Sequence, residues 1–108
     1  MPDYLLQVTY TPEAVAAMLA KPQNREEAIR PAIEKLGGEI KNFWFTFGKY
    51  DVVLVASFPD NVSTLAFSMA VLAAGSVKTF NTTPLLSVDE SIEAMKKASK
   101  SGYKPPSK

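Results

Sequence analysis

Tyr50 and Asp51, just after Gly48-Lys49, are the residues whose types and spacing come nearest to chemistry. A phenol beside a carboxylate can work as an acid–base pair or orient a polar ligand. The segment reads as extended, however, so neighbouring side chains point to opposite faces, which works against direct cooperation. The same residues also have a purely structural use. Gly48 permits a turn barred to other residues, Tyr50 can pack, and Asp51 can tie down a hairpin through backbone bonds. A second set, Gln7, Thr9, Thr46, Asp51 and Ser57, places polar groups along predicted strands. Together they can line a polar pocket, or satisfy one another and water.

Two apolar features compete with these. In the run Phe43-Trp44-Phe45-Thr46-Phe47, alternation puts the three phenylalanines on one face and Trp44 on the other. Trp44 is then the better candidate for an interface or a pocket, since aromatics serve both settings. The stretch from Asn61 to Ala74 is apolar nearly all round, which implies a helix buried on more than one side. Its small residues (Ala66, Ala70, Ala73, Ala74) leave room for a hydrophobic cleft involving Phe67 and the helix that carries Met18 and Leu19. Helix–helix packing or higher assembly accounts for the same residues without a ligand.

Composition narrows the chemistry further. The 108 residues include no Cys and no His. Disulfides, thiolate nucleophiles, iron–sulfur clusters and Cys-ligated zinc are therefore excluded, along with the commonest proton shuttle and transition-metal ligand. No metal site and no cofactor is expected, and any catalysis must use carboxylates, Tyr, Lys, Ser/Thr, backbone amides or an organic cofactor. A formal charge of +1 creates no field toward nucleic acid or acidic membranes. The lysines at 96, 97, 100, 104 and 108 form a solvated face and tail without interleaved aromatics, so no nucleic-acid partner is expected. No run of about 18 apolar residues spans a bilayer, and Met1-Pro2-Asp3-Tyr4 lacks a signal-peptide pattern. The expectation is a cytoplasmic protein.

The elements that must position these residues follow in order. Tyr4 to Tyr10 alternates as a half-buried strand. Thr11-Pro12 starts a helix to Lys21, with Thr11 as cap and Pro12 in the first turn. Asn24 and Glu27 resemble a capping box for a second helix to about Leu36, which Pro31 should kink or split. Gly37-Gly38 ends it. Glu39 to Phe47 reads as a second strand and Tyr50 to Phe58 as a central one, joined by a tight Gly48-Lys49 turn. Asp60 caps the apolar helix, which Gly75 closes. Val77 to Leu86 is a fourth strand, demoted to an edge by Pro84. Ser87 to Glu90 is a capping box for a last helix to about Lys100. Residues 1–100 form one domain, with 101–108 as a flexible or partner-docking tail.

This β-α-β-β-α-β order is that of the ferredoxin-like sandwich, a four-stranded antiparallel sheet with helices on one face. Right-handed crossovers place strands one and three in the middle and strands two and four at the edges. The uncovered sheet face carries Leu5, Trp44, Val53 and Val55, more apolar area than a lone domain exposes. A homodimer packed sheet to sheet, as a dimeric α/β barrel, covers it.

From Phe47-Gly48-Lys49-Tyr50-Asp51-Val52-Val53 through Ser57-Phe58-Pro59-Asp60, the alanine-rich helix to Gly75 and the Tyr103-Lys104-Pro105-Pro106 tail, the chain resembles the GYD domain family. These are small bacterial proteins named for a Gly-Tyr-Asp motif. The likeness covers nearly the whole chain and implies a ferredoxin-like, dimeric α/β-barrel relationship, but little function. Lys49 separates Gly48 from Tyr50, as in the Gly-x-Tyr-Asp form. Ser57 stands near where relatives often carry an acidic residue, so a role for that carboxylate does not transfer. Three functions stay open: a homodimer or higher homo-oligomer that binds or senses an apolar or aromatic small molecule; a cofactor-independent monooxygenase, isomerase or cyclase acting on an aromatic or polyketide-like substrate; and a structural association module. The second rests on fold analogy alone.

Overall fold

The computed structural model describes residues 1–107; of the expected tail, Lys108 lies outside them. The elements are β1 (Asp3–Tyr10), α1 (Pro12–Ala20), α2 (Arg25–Lys35), β2 (Glu39–Phe45), β3 (Val52–Ser57), α3 (Asn61–Ala73), β4 (Val77–Leu85) and α4 (Val88–Ser99). One antiparallel sheet has the order β2-β3-β1-β4, the expected ferredoxin-like arrangement with β1 and β3 inside.

Helix starts follow the caps read from the sequence. Thr11, Asn24, Asp60 and Ser87 each accept the backbone N–H of the third residue of their helices, satisfying donors that have no intrahelical partner. Ser87 and Glu90 complete a reciprocal capping box. Bonds from Ser63, chiefly its backbone N–H, hold the Asp60 carboxyl below its ordinary range.

Strand alternation divides the sheet. Tyr4, Leu6 and Val8 of β1 pair with Ala56, Leu54 and Val52 of β3, and all six are buried under the helices. Ile33 of α2, Ile40 of β2, Phe58 and Phe67 of α3 complete this core. Aromatic contacts run through it, Tyr4 to Phe58 at 6.1 Å, Phe58 to Phe67 at 5.7 Å and Phe67 to Phe80 at 5.9 Å between centroids. The opposite face carries Leu5, Gln7, Trp44, Val53 and Val55, with Trp44 paired to Val53 and 52% exposed.

Several expectations are corrected. Pro31 does not confine the first part of α2 to a separate turn; one helix runs from Arg25 to Lys35. Proline there forfeits the bond to the Glu27 carbonyl, but the Asn24 cap, the Arg30 pairs with Glu26 and Glu27, and buried Ile33 hold the helix on both sides. The link between β2 and β3 is a loop over residues 46–51 rather than a tight turn. Gly48 at φ +120 breaks the extended run there, leaving Phe47 99% exposed. In α3 only Thr64 and Phe67 are buried, while Val62, Leu65, Met69 and Leu72 are exposed. The helix lies on β4, and among the described residues no other helix packs extensively on it.

The C-terminal part stands apart. α4 buries no residue and packs extensively on no other element. It shows Val88, Ile92 and Met95 at helical spacing on an exposed stripe. With the exposed, irregular residues 101–107 it raises the radius of gyration to 17.5 Å, against about 13 Å for a compact chain of this size. Among the described residues no helix is long and apolar enough to cross a membrane.

Candidate functional site

The helix layer leaves a narrow gap over the middle of the sheet, whose side chains are still largely buried. α2 packs on edge strand β2 and α3 on edge strand β4. Between them lies a cleft of about 240 Å³ whose floor is Val8 of β1 with Val52 and Leu54 of β3, flanked by Phe43 and Phe80. Ala28 and Ala32 line it from α2, and Ala70 and Ala74 from the end of α3. Each pair is spaced i, i+4, so it stands on one side of its helix, and a methyl group reaches too little of the gap to fill it. Ile29, Phe67 and Val71 complete the apolar lining.

One end of this cleft is polar. Tyr10 at the end of β1, Ser76 before β4 and Arg25 at the start of α2 line it together. The same three residues also line a smaller hollow of about 130 Å³ that includes Met18 and Gln23. Arg25 Nη1 donates to Gln23 Oε1 at 2.6 Å, while its Nε–H is buried without a partner. The neighbouring acids are engaged elsewhere: Glu26 and Glu27 both pair with Arg30, at 2.7 and 3.2 Å. Among the described residues Arg25 is the one charged residue in the cleft lining. Such a site can hold an apolar body and meet a polar or anionic group at one end. Among the described residues no group of three or more carboxylates is placed to hold a metal ion.

The residues singled out from the sequence are not brought together in one place. Phe67 is buried in the core and lines the cleft. Met18 lies in the adjoining hollow, and Leu19 is 77% exposed. The cleft therefore lies between α3 and α2, where α3 and α1 were expected to form it. Thr9, Tyr50 and Asp51 meet in a separate polar hollow of about 510 Å³, with Lys49, Lys78 and Thr79. Within it the Asp51 carboxylate accepts the Tyr10 N–H at 2.8 Å, and the Thr9 and Thr79 hydroxyls bond to each other. Thr46 closes the loop, its hydroxyl donating to the Tyr50 carbonyl at 2.7 Å and its N–H to the Asp51 carbonyl at 2.8 Å. Gln7 accepts from Asn81 at 3.3 Å on the open sheet face. Trp44 lies on that face too and lines none of these cavities. Ser57 is at the other end of β3 from Asp51, opposite Asp3, buried and with its hydroxyl unpaired.

Arg25, Tyr10, Ser76 and the α2 alanines are the cleft residues that sequence reasoning passed over. A signal for Arg25 was present: a cation in the first turn of a helix opposes the helix dipole, and the adjacent Glu26-Glu27 pair has Arg30 at the better spacing.

Fold and cleft together define a ferredoxin-like α+β domain with an apolar cavity between its helix layer and the middle of its sheet. Residues 4–95 match the GYD domain, and the chain belongs to the GYD domain family. No curated protein matches it. Solved structures share the fold at low identity. FFRP-DM1 is 13% identical with a TM-score of 0.51, over 80% of this chain and 100% of that one. A hypothetical protein of Pyrococcus horikoshii is 10% identical with a TM-score of 0.51, over 81% and 92%. A transcriptional regulator of Neisseria meningitidis, in complex with L-Met, is 17% identical with a TM-score of 0.52, over 81% of this chain and 51% of the regulator.

Proposed function

We propose that this chain is a homodimeric α/β barrel that binds or senses a small molecule. The observation that carries the binding half is the cleft: apolar on its floor and both walls, polar at one end, and about 240 Å³ in volume. That lies just below the usual range for ligand pockets, roughly 300–1,000 Å³, and suits a small apolar or aromatic compound. The L-Met complex of the regulator with the same fold supports a ligand-holding use of this scaffold. The polar groups of the cleft are Arg25, Tyr10 and Ser76. They offer no carboxylate base beside the apolar body, which favours binding over the monooxygenase, isomerase or cyclase alternative.

Self-association is supported by unpartnered apolar surface. Trp44 stands 52% exposed beside Leu5, Val53 and Val55 on the open sheet face. The outer stripe of α3 and the α4 stripe add more. Exposed apolar surface of this kind marks interfaces. A thermal-shift screen of small apolar and aromatic metabolites, run with light scattering, tests both halves. Raised melting temperatures and twice the chain mass are expected; a stable monomer that no compound stabilises counts decisively against the proposal.

A further inference from the structure

Resting on the reading of the cleft as a binding site, we infer that its ligand is a small amphipathic monocarboxylate. Its apolar body, a short alkyl chain or one aromatic ring, lies over β1 and β3, and its carboxylate meets Arg25.

The physical case starts from a guanidinium that is short of partners. Arg25 has one neutral partner, Gln23 at 2.6 Å, and a buried Nε–H with none. A buried unpaired donor is costly, and more so on a charged group. The acids that follow it in sequence are held by Arg30. The other cleft-lining residues are uncharged, and α3 carries no charged residue at all. Arg25 therefore faces a low-polarity space in which an incoming anion meets a cation and no competing carboxylate. The planar fork of arginine fits a carboxylate through two parallel bonds, and such charge-assisted bonds are about twice as strong as neutral ones. Tyr10 and Ser76 line the same end and are polar residues that can add further bonds.

Size sets the rest of the ligand. A closed apolar cavity of about 150 Å³ holds one benzene ring, so about 240 Å³ takes a ring with a short side chain. The alanines of α2 and α3 leave no side chain that specifies shape, so chain and ring bodies both fit. The absence of a second cation in the lining selects one carboxylate rather than two.

The test uses the full chain and four probes, octanoate and 3-phenylpropionate with their amides, measured by calorimetry or NMR titration. The acids are expected to bind roughly tenfold or more tighter than their amides. Arg25→Gln should erase that difference while leaving amide binding in place, and Arg25→Lys should restore part of it. Ala70→Leu, which fills the cleft from α3, should abolish binding of all four; each variant's fold is checked by circular dichroism. Equal binding of acids and amides overturns the carboxylate assignment and leaves the cleft as a binding site. Acid binding unchanged in Arg25→Gln overturns the anchor. Failure of all four to bind, or binding indifferent to Ala70→Leu, overturns this inference and the cleft reading together.

Discussion

The carboxylate of Asp51 accepts the backbone N–H of Tyr10 at 2.8 Å, just past the last β1–β3 pair, Val8 with Val52. The N–H of Asp51 in turn donates to the Val8 carbonyl at 2.8 Å. A side chain thus continues the ladder where the strand has stopped, and it fixes the end of β1 from which Tyr10 reaches the cleft. Asp51→Ala leaves the Tyr10 N–H unpaired and should cost about 1–3 kcal/mol, whereas Asp51→Asn keeps an oxygen in place and should cost less. Urea unfolding of both variants checks the order; equal losses would show that the bond contributes little.

Gly38 sits where the chain leaves α2 and passes over the core. A Cβ there would stand 2.6 Å from the Ser57 carbonyl oxygen and 2.8 Å from a Phe58 ring carbon. The carbonyl belongs to β3 and cannot swing away. Gly38→Ala should therefore destabilise the protein by about 1–3 kcal/mol through overpacking, read as a lower urea midpoint at unchanged slope.

Pro31 is a stability reserve. It occupies the interior of α2 on an exposed side, where its missing N–H leaves one carbonyl without an intrahelical donor. Replacement by Ala should stabilise the protein by up to about 3 kcal/mol. Chemical denaturation of Pro31→Ala decides this, and no gain would mean that the local backbone is shaped around the ring.

Asp60 gives α3 a pH dependence whose sign is fixed. Its carboxyl is held below the ordinary value by bonds from Ser63, the backbone N–H first. A lowered folded-state pKa contributes stability that is present above the unfolded value, near 3.8, and lost as pH falls through the folded one. Melting temperatures of the wild type and Asp60→Asn should differ most near neutrality and converge below about pH 4. A constant difference across that range would remove the cap from the account.

Trp44 tests the proposed pairing surface. Trp44→Glu places a charge on the open sheet face, on edge strand β2 opposite Val53, and should shift the protein from dimer to monomer in light scattering. Its effect on the fold should be small, since the side chain is half exposed. An unchanged mass would move the interface away from this face.

The sequence was most informative where local chemistry decides the structure. Every helix cap followed from its side chain, and the strand order followed from the β-α-β-β-α-β succession and the handedness of crossovers. Phe47 and Tyr50 look like strand residues by type, but Gly48 at φ +120 and the anchored Asp51 turn that stretch into a loop. The cleft was legible as small residues on α3, yet not as a gap facing α2. Alanines spaced i, i+4 read as ordinary packing until two such faces meet, and that meeting depends on which helix settles over which edge strand. α2 precedes β2 directly and packs on it, leaving α1 at the margin. Arg25 escaped notice because a lone cation near a helix start looks solvated until its neighbours are placed.

The two walls of the cleft come from opposite halves of the chain, α2 from the first β-α-β unit and α3 from the second. Those helices do not pack extensively on each other, so the sheet and the shared core link the motions of one to those of the other. A molecule seated between them acts as a cross-brace. Its binding energy stiffens the helix layer as a whole, and it should appear as slowed amide exchange in both helices at once. Occupancy would then be reported on the outer surface of the protein, far from any atom the ligand touches.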